Sequence, residues 1–160
     1  MSIFCIKAHK IDNCQPYLIC YTLHMNEKTL FQKIIDREIP ADIVYEDDIC
    51  IAFMDINPVQ KGHVLLVTKE PFEWIHDVPD ALLGEIFVRA KKIMTALKES
   101  LKCDFVHVVI EGVEVPHFHV HLIPSTIGIK NAQWHHTLYE EGEQKAHAEK
   151  IKMVLLKYEN

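Results

Sequence analysis

Residues 116–124 read PHFHVHLIP, and three of the chain's eleven histidines, His117, His119 and His121, take every second place in that run. Their alternation with Phe118, Val120 and Leu122 is the period of a β-strand, in which neighbouring side chains face opposite ways and positions two apart lie roughly 6.5–7 Å from each other. The pattern predicts a strand with one apolar face and one face of imidazole. Three imidazoles at that spacing repel one another when protonated, so some must stay neutral near pH 7. Three uses of such a row are open. It could line a polar groove. It could chelate zinc through two histidines at i, i+2, although no acidic or Cys ligand is spaced to finish the set. Or it could perform covalent catalysis at phosphorus, one His attacking while its neighbours hold it and stabilise the phosphoryl oxygens.

Working outward, FVHVVIE (105–111) and VPHFHVHLIP (115–124) flank Gly112 and read as a hairpin. Upstream, Leu83, Ile86, Phe87, Ala90, Ile93, Met94, Leu97 and Leu101 recur at three-and-four spacing, which predicts a long helix from Asp77 or Asp80 to about Lys102, with Pro79 suited to its first turn. Before it, IVYE (43–46), ICIAFMDI (49–56) and HVLLVTK (63–69), separated by DD and NPVQKG, predict an antiparallel meander. A first helix carries Leu30, Phe31, Ile34 and Ile35 on one stripe, with Asn26 as a candidate cap and Pro40 as its stop. A last helix is expected from about Glu140 to Tyr158. The class is α+β, an antiparallel sheet with few helices.

The chain has 160 residues, the size of one ordinary domain, and its formal charge of −6 argues against a nucleic-acid or anionic-membrane partner, both of which call for a basic field. Five cysteines, Cys5, Cys14, Cys20, Cys50 and Cys103, include no C-x-x-C pair, so neither a disulfide framework nor a zinc ribbon is suggested and a reducing cytoplasm fits. The longest apolar run near the start, YLICYTL (17–23), is too short to span a bilayer. No signal peptide or anchor is expected. Met25 is read as the biological start, with 1–24 an extension ahead of a catalytic domain over 25–160; an ordinary N-terminal arm is the alternative.

HFHVHLI fits the His-φ-His-φ-His-φ-φ pattern of the histidine triad (HIT) family, and LFQKIIDREIPADIVYEDDICIAFMDINPVQKGHVLLVTK (30–69) resembles the amino-terminal half of its nucleotide-binding branch. The resemblance runs from about Leu30 to Pro124. It implies an α+β, HIT-like fold: a five-stranded antiparallel sheet with a long helix and short N- and C-terminal helices, usually completed by homodimerisation. It also implies an enzyme that transfers or hydrolyses nucleotidyl groups at the α-phosphate of purine nucleotide derivatives. On that likeness His119 is the nucleophile, and His121 contacts the phosphate oxygens. His117 fixes the nucleophile's tautomer through its carbonyl, with its own ring near His63. Asp55 binds the ribose, and Phe31, Ile34, Phe53 and Ile56 wall the base, although the first three would be core residues in almost any fold.

Nucleoside phosphoramidates are the first expected substrates. A dinucleoside polyphosphate hydrolase and a nucleotide-binding module with little turnover are the alternatives. No cofactor and no metal are expected, since charge stabilisation would come from histidines and backbone amides. The chain departs from the family where Val113 stands in place of a common Gln, Glu114 in place of Ser or Thr, and Ile110 near a missing Asn, so the leaving-group side is not defined by the likeness. Glu114 is read as either an acceptor for a leaving amine or a solvated hairpin-tip charge. The tail Trp134 is a further candidate, and His76, His107, His135, His136 and His147 read as surface or loop residues.

Overall fold

The computed structural model of the chain describes residues 28–128 and 136–158. The reading of Met25 as the start, and Trp134 and His135, lie outside the described residues.

Helix α1 spans Leu30–Ile35 and buries Phe31 and Ile34. Its cap is Thr29 rather than Asn26: the Thr29 side chain accepts from the Gln32 N–H. The signal was present in Thr29-Leu30-Phe31-Gln32, a Ser/Thr-x-x-Glu/Gln pattern that closes a first turn. The helix stops well before Pro40, because Arg37 takes a left-handed φ of 64° and turns the chain away.

Strands β1 (Ile43–Glu46), β2 (Cys50–Met54) and β3 (Val64–Thr68) follow as an antiparallel meander. Both connections obey local chemistry. In the first, Asp47 accepts from the Ile49 and Cys50 N–H groups and is held by the Arg89 guanidinium at 2.6 Å. In the second, Gly62 has a φ of 94°, and a Cβ there would fall 2.2 Å from Leu101 Cδ1, so Gly62 is the residue that lets the chain turn tightly into His63.

After a 3₁₀ turn (Ile75–Asp77), helix α2 runs Asp80–Leu101, then come β4 (Phe105–Val109), β5 (His119–Ser125) and helix α3 (Glu143–Lys157). Pro79 is the cap residue of α2, one place ahead of its expected position. The sheet order is β1-β2-β3-β5-β4, antiparallel throughout, so the hairpin's second strand inserts beside β3 and leaves β4 at the edge. β2 and β3 are buried at every position, as central strands covered on both faces must be.

One face of the sheet, with Ala52, Met54, Leu66, Val120 and Leu122, packs on Ile86, Ala90, Ile93 and Leu97 of α2 and on Ile151 and Leu155 of α3. Phe87, placed on the same stripe by its spacing, is instead half-exposed at the margin. The opposite face carries a smaller apolar cluster, Ile51, Phe53, Leu65 and Val67 under Phe31 and Ile34 of α1. The histidine row lies on this second face, with His119 opposite Val67 and His121 opposite Leu65. Because α1 is only six residues long, it covers part of that face and leaves the rest for a site.

Candidate active site

β5 begins at His119, so only His119 and His121 stand on the strand, and His117 lies in the irregular segment just before it. The His117 ring is fully buried, with its Nε2–H donating to the Thr68 carbonyl at 2.7 Å. That bond fixes the proton on Nε2, and the bare Nδ1 therefore accepts from the Thr29 hydroxyl at 3.1 Å. Thr29 thus serves two ends at once, capping α1 and holding His117.

The carbonyl of the same His117 accepts from His119 Nδ1 at 2.7 Å. The proton of His119 is held there, and Nε2 keeps its lone pair. Burial, reinforced by the charges of His121 and His117 against the carbonyl's opposing pull, lowers the His119 pKa to about 4. The ring is therefore neutral at pH 7. Phe31 meets it edge-on at 4.8 Å and fixes its plane.

His63 does not meet His117, as the resemblance led one to expect. It is buried against His121 instead, with His63 Nε2 3.0 Å from His121 Nδ1. Its other nitrogen lies 3.1 Å from Asp55 Oδ2 and is also reached by the Val59 N–H at 3.3 Å. His63 and His121 therefore share a hydrogen bond, and the Asp55 carboxyl stands beside the far edge of the His63 ring. Burial, then the charges of neighbouring histidines, lowers the His63 pKa to about 3; burial also lowers that of His121 and His117. The Asp55 carboxyl moves the other way, raised by burial against the Asn57 N–H bond that favours its charge.

The same three residues bring potential ligand atoms within 4.8 Å of one another, so the acidic partner that sequence spacing could not supply arrives through tertiary contact. They could hold a divalent cation. Both ring nitrogens of His63 are already engaged, by the Val59 N–H and by His121, and His121 is engaged through Nδ1.

Phe31, Ile34 and Phe53 are buried in the small cluster beneath the site, whereas Ile56 is 70% exposed beside Asp55. The loop that carries Asp55 and His63 is strapped by the C-terminal segment: Thr137 N–H donates to the Pro58 carbonyl at 2.7 Å, and Gly62 N–H to the Tyr139 hydroxyl at 3.0 Å. His136, read from sequence as a surface or loop residue, bonds the Asn57 carbonyl through Nδ1 at 2.5 Å. Glu114 is exposed, and its charge acts on both Asp55 and His121. Beside His119 a cleft of about 250 Å³ opens between Glu73–Ile75 and Ile110–Val113. Thr29, Thr68 and Tyr139 were not foreseen as supports of the site, and only Thr29 had a local signal.

A family model described as the HIT domain matches residues 36–127. A HIT-like protein of Synechocystis is 46% identical over 103 residues, covering 61% of this chain and 89% of its own. The purine nucleoside phosphoramidase of Escherichia coli K12 is 38% identical over 107 residues, covering 62% of this chain and 88% of its own. Among solved structures, a Hit-like protein from Bartonella henselae superimposes with a TM-score of 0.71 at 32% identity, covering 79% of this chain and 96% of that one.

Proposed function

Because this chain belongs to the HIT domain family, we propose that it is a nucleotidyl hydrolase or transferase acting at the α-phosphate of purine nucleoside phosphoramidates through a covalent nucleotidyl-histidine at His119. The observation that carries this reading is the 2.7 Å bond from His119 Nδ1–H to the His117 carbonyl, which leaves a neutral ring with a free Nε2 lone pair. The phosphoramidase activity named for the Escherichia coli relative points to the same bond class.

In the first step His119 Nε2 bonds to phosphorus while the P–N bond breaks, its electron pair leaving with the amine nitrogen, which takes up a proton from solvent. In the second, water attacks phosphorus, the His119–phosphorus bond returns its pair to Nε2, and the water's proton is released with the nucleoside monophosphate. His121, hydrogen-bonded to His63, faces the phosphoryl oxygens and steadies their charge. Asp55 accepts from the ribose hydroxyls, and Ile56 with the edge of the Phe31–Ile34–Phe53 cluster takes the base.

Mixing the protein with adenosine 5′-phosphoramidate, quenching in alkali and weighing the peptide 116–124 tests the reading. AMP should be found on that peptide, and not in His119→Asn. Release of AMP with no adduct, or an adduct on another peptide, would overturn it. A second reading, nucleotide binding with little turnover, draws on Ile110 and Val113, which place exposed apolar side chains where polar contacts to the phosphate are usual; AMP binding without hydrolysis of any nucleotidyl compound would favour it.

The reading also takes the protein as a cytoplasmic homodimer. Support for the dimer comes from edge strand β4, whose Phe105 and Val108 are exposed. Sedimentation should show a dimer that Phe105→Glu weakens; a wild-type monomer at micromolar concentration would remove it. No helix among the described residues is long and apolar enough to cross a membrane.

A further inference from the structure

The cleft beside His119 uses residues that the nucleotide reading leaves unassigned. His119 and Phe118 stand at its inner end, Glu73, Trp74 and Ile75 form one bank, and Ile110, Glu111 and Val113 form the other. The Trp74 ring lies against the hairpin connection, since a Cβ at Gly112 would stand 3.5 Å from its Cζ3. It nonetheless keeps 38% of its surface open, with the His76 ring stacked parallel at 6.5 Å, so part of the indole face remains for a ligand. Two exposed carboxylates, Glu73 and Glu111, flank that face, and among the described residues no Lys or Arg lines the cleft. Glu114 adds to the same negative field, which reaches His121 together with that of Glu111.

In-line attack from the floor of such a cleft sends the departing group outward between the banks. What passes there meets an indole, three aliphatic side chains and net negative charge. Such surroundings attract a cation with an apolar body and repel an anion. Resting on the cleavage at His119 proposed above, we propose that this cleft is the leaving-group subsite. It selects amines that carry a second, positively charged group on a flat or aliphatic body, and it disfavours the polyphosphate leaving group of a dinucleoside polyphosphate. The His119–phosphorus bond forms as the P–N bond breaks, the amine nitrogen keeping the electron pair and gaining a solvent proton.

The test uses three phosphoramidates of AMP built on one benzylamine frame, with a para-aminomethyl group, no substituent or a para-carboxylate, beside adenosine 5′-phosphoramidate and diadenosine tetraphosphate. In the wild type, kcat/KM should fall in the order cationic, neutral, anionic. The cation-to-anion ratio should be about tenfold or more at low salt and shrink at high salt, where exposed charges are screened. Diadenosine tetraphosphate should be the slowest. The double variant Glu73→Gln, Glu111→Gln should bring the ratio close to one, and Trp74→Ala should slow the three benzyl compounds relative to adenosine 5′-phosphoramidate.

A flat or inverted order, or a ratio unchanged in the double variant, would overturn the assignment. So would an equal loss of affinity for AMP itself in Trp74→Ala, because that would seat the nucleoside in the cleft. Absence of turnover for every compound would remove the cleavage reading and this inference with it, a result distinct from turnover without charge preference.

Discussion

At the scale of single residues the site works by keeping imidazoles uncharged. On the proposed mechanism His119 must be neutral to attack, so activity falls as pH drops through its pKa, which lies at about 4, pushed down by burial first. With adenosine 5′-phosphoramidate, kcat/KM should stay flat from pH 8 to about 5 and halve near pH 4; an acid limb near the ordinary histidine value of about 6.5 would contradict the buried nucleophile. Stability carries the same sign. His63 and His119 have native pKa values near 3 and 4, below the unfolded value, so between pH 6.5 and about 4 the unfolded chain binds more protons than the native one. Their contribution is complete above pH 6.5 and is lost on acidification. Asp55, raised by burial, acts in the opposite sense but is one carboxyl against four depressed histidines. The urea midpoint should therefore fall steadily below pH 6.5, and a flat midpoint down to pH 4 would count against these shifts.

At the scale of elements, two short segments hold the site from outside the sheet. Thr29 caps α1 and donates to His117 Nδ1, so Thr29→Ala removes a cap and leaves a buried ring nitrogen without its partner. The two losses should together cost about 1–3 kcal/mol in urea unfolding, with Thr29→Ser restoring most of it. Tyr139, beyond the stretch matched by the family, receives the buried Gly62 N–H one residue before His63. Tyr139→Phe should cost about 1 kcal/mol and raise KM for a nucleotidyl substrate more than it lowers kcat, since the strapped loop carries Asp55. An unchanged KM would show that the strap does not position that loop. The α1 stripe of Phe31 and Ile34 was legible in the sequence because it follows helical spacing. The strap was not, because its hydrogen bonds join positions about 80 residues apart.

At the scale of the whole molecule, the sheet carries the larger core on one face and the candidate site on the other. Ile93 is fully buried between α2 and the sheet, and Ile93→Ala should cost about 2–5 kcal/mol of unfolding free energy. Ile56, 70% exposed on the opposite side, should change stability by no more than about 0.5 kcal/mol when replaced by Ala while raising KM for the nucleotide. Comparable KM effects from both variants at a temperature where both are folded would argue against this division.

What the sequence alone determined is whatever depends on local periodicity. Alternation at 119–122 put His119 and His121 opposite Val120 and Leu122, three-and-four spacing predicted α2, and turn residues set the meander, because strand and helix geometry are fixed by neighbours close along the chain. Tertiary structure alone decided that β5 inserts beside β3, that His63 meets His121 instead of His117, and that Asp55 joins them. It also decided that Glu73 and Trp74 face Glu111 across one cleft. Those pairings depend on how far strands and loops are carried before packing stops them, and no spacing along the chain records a contact made across the fold.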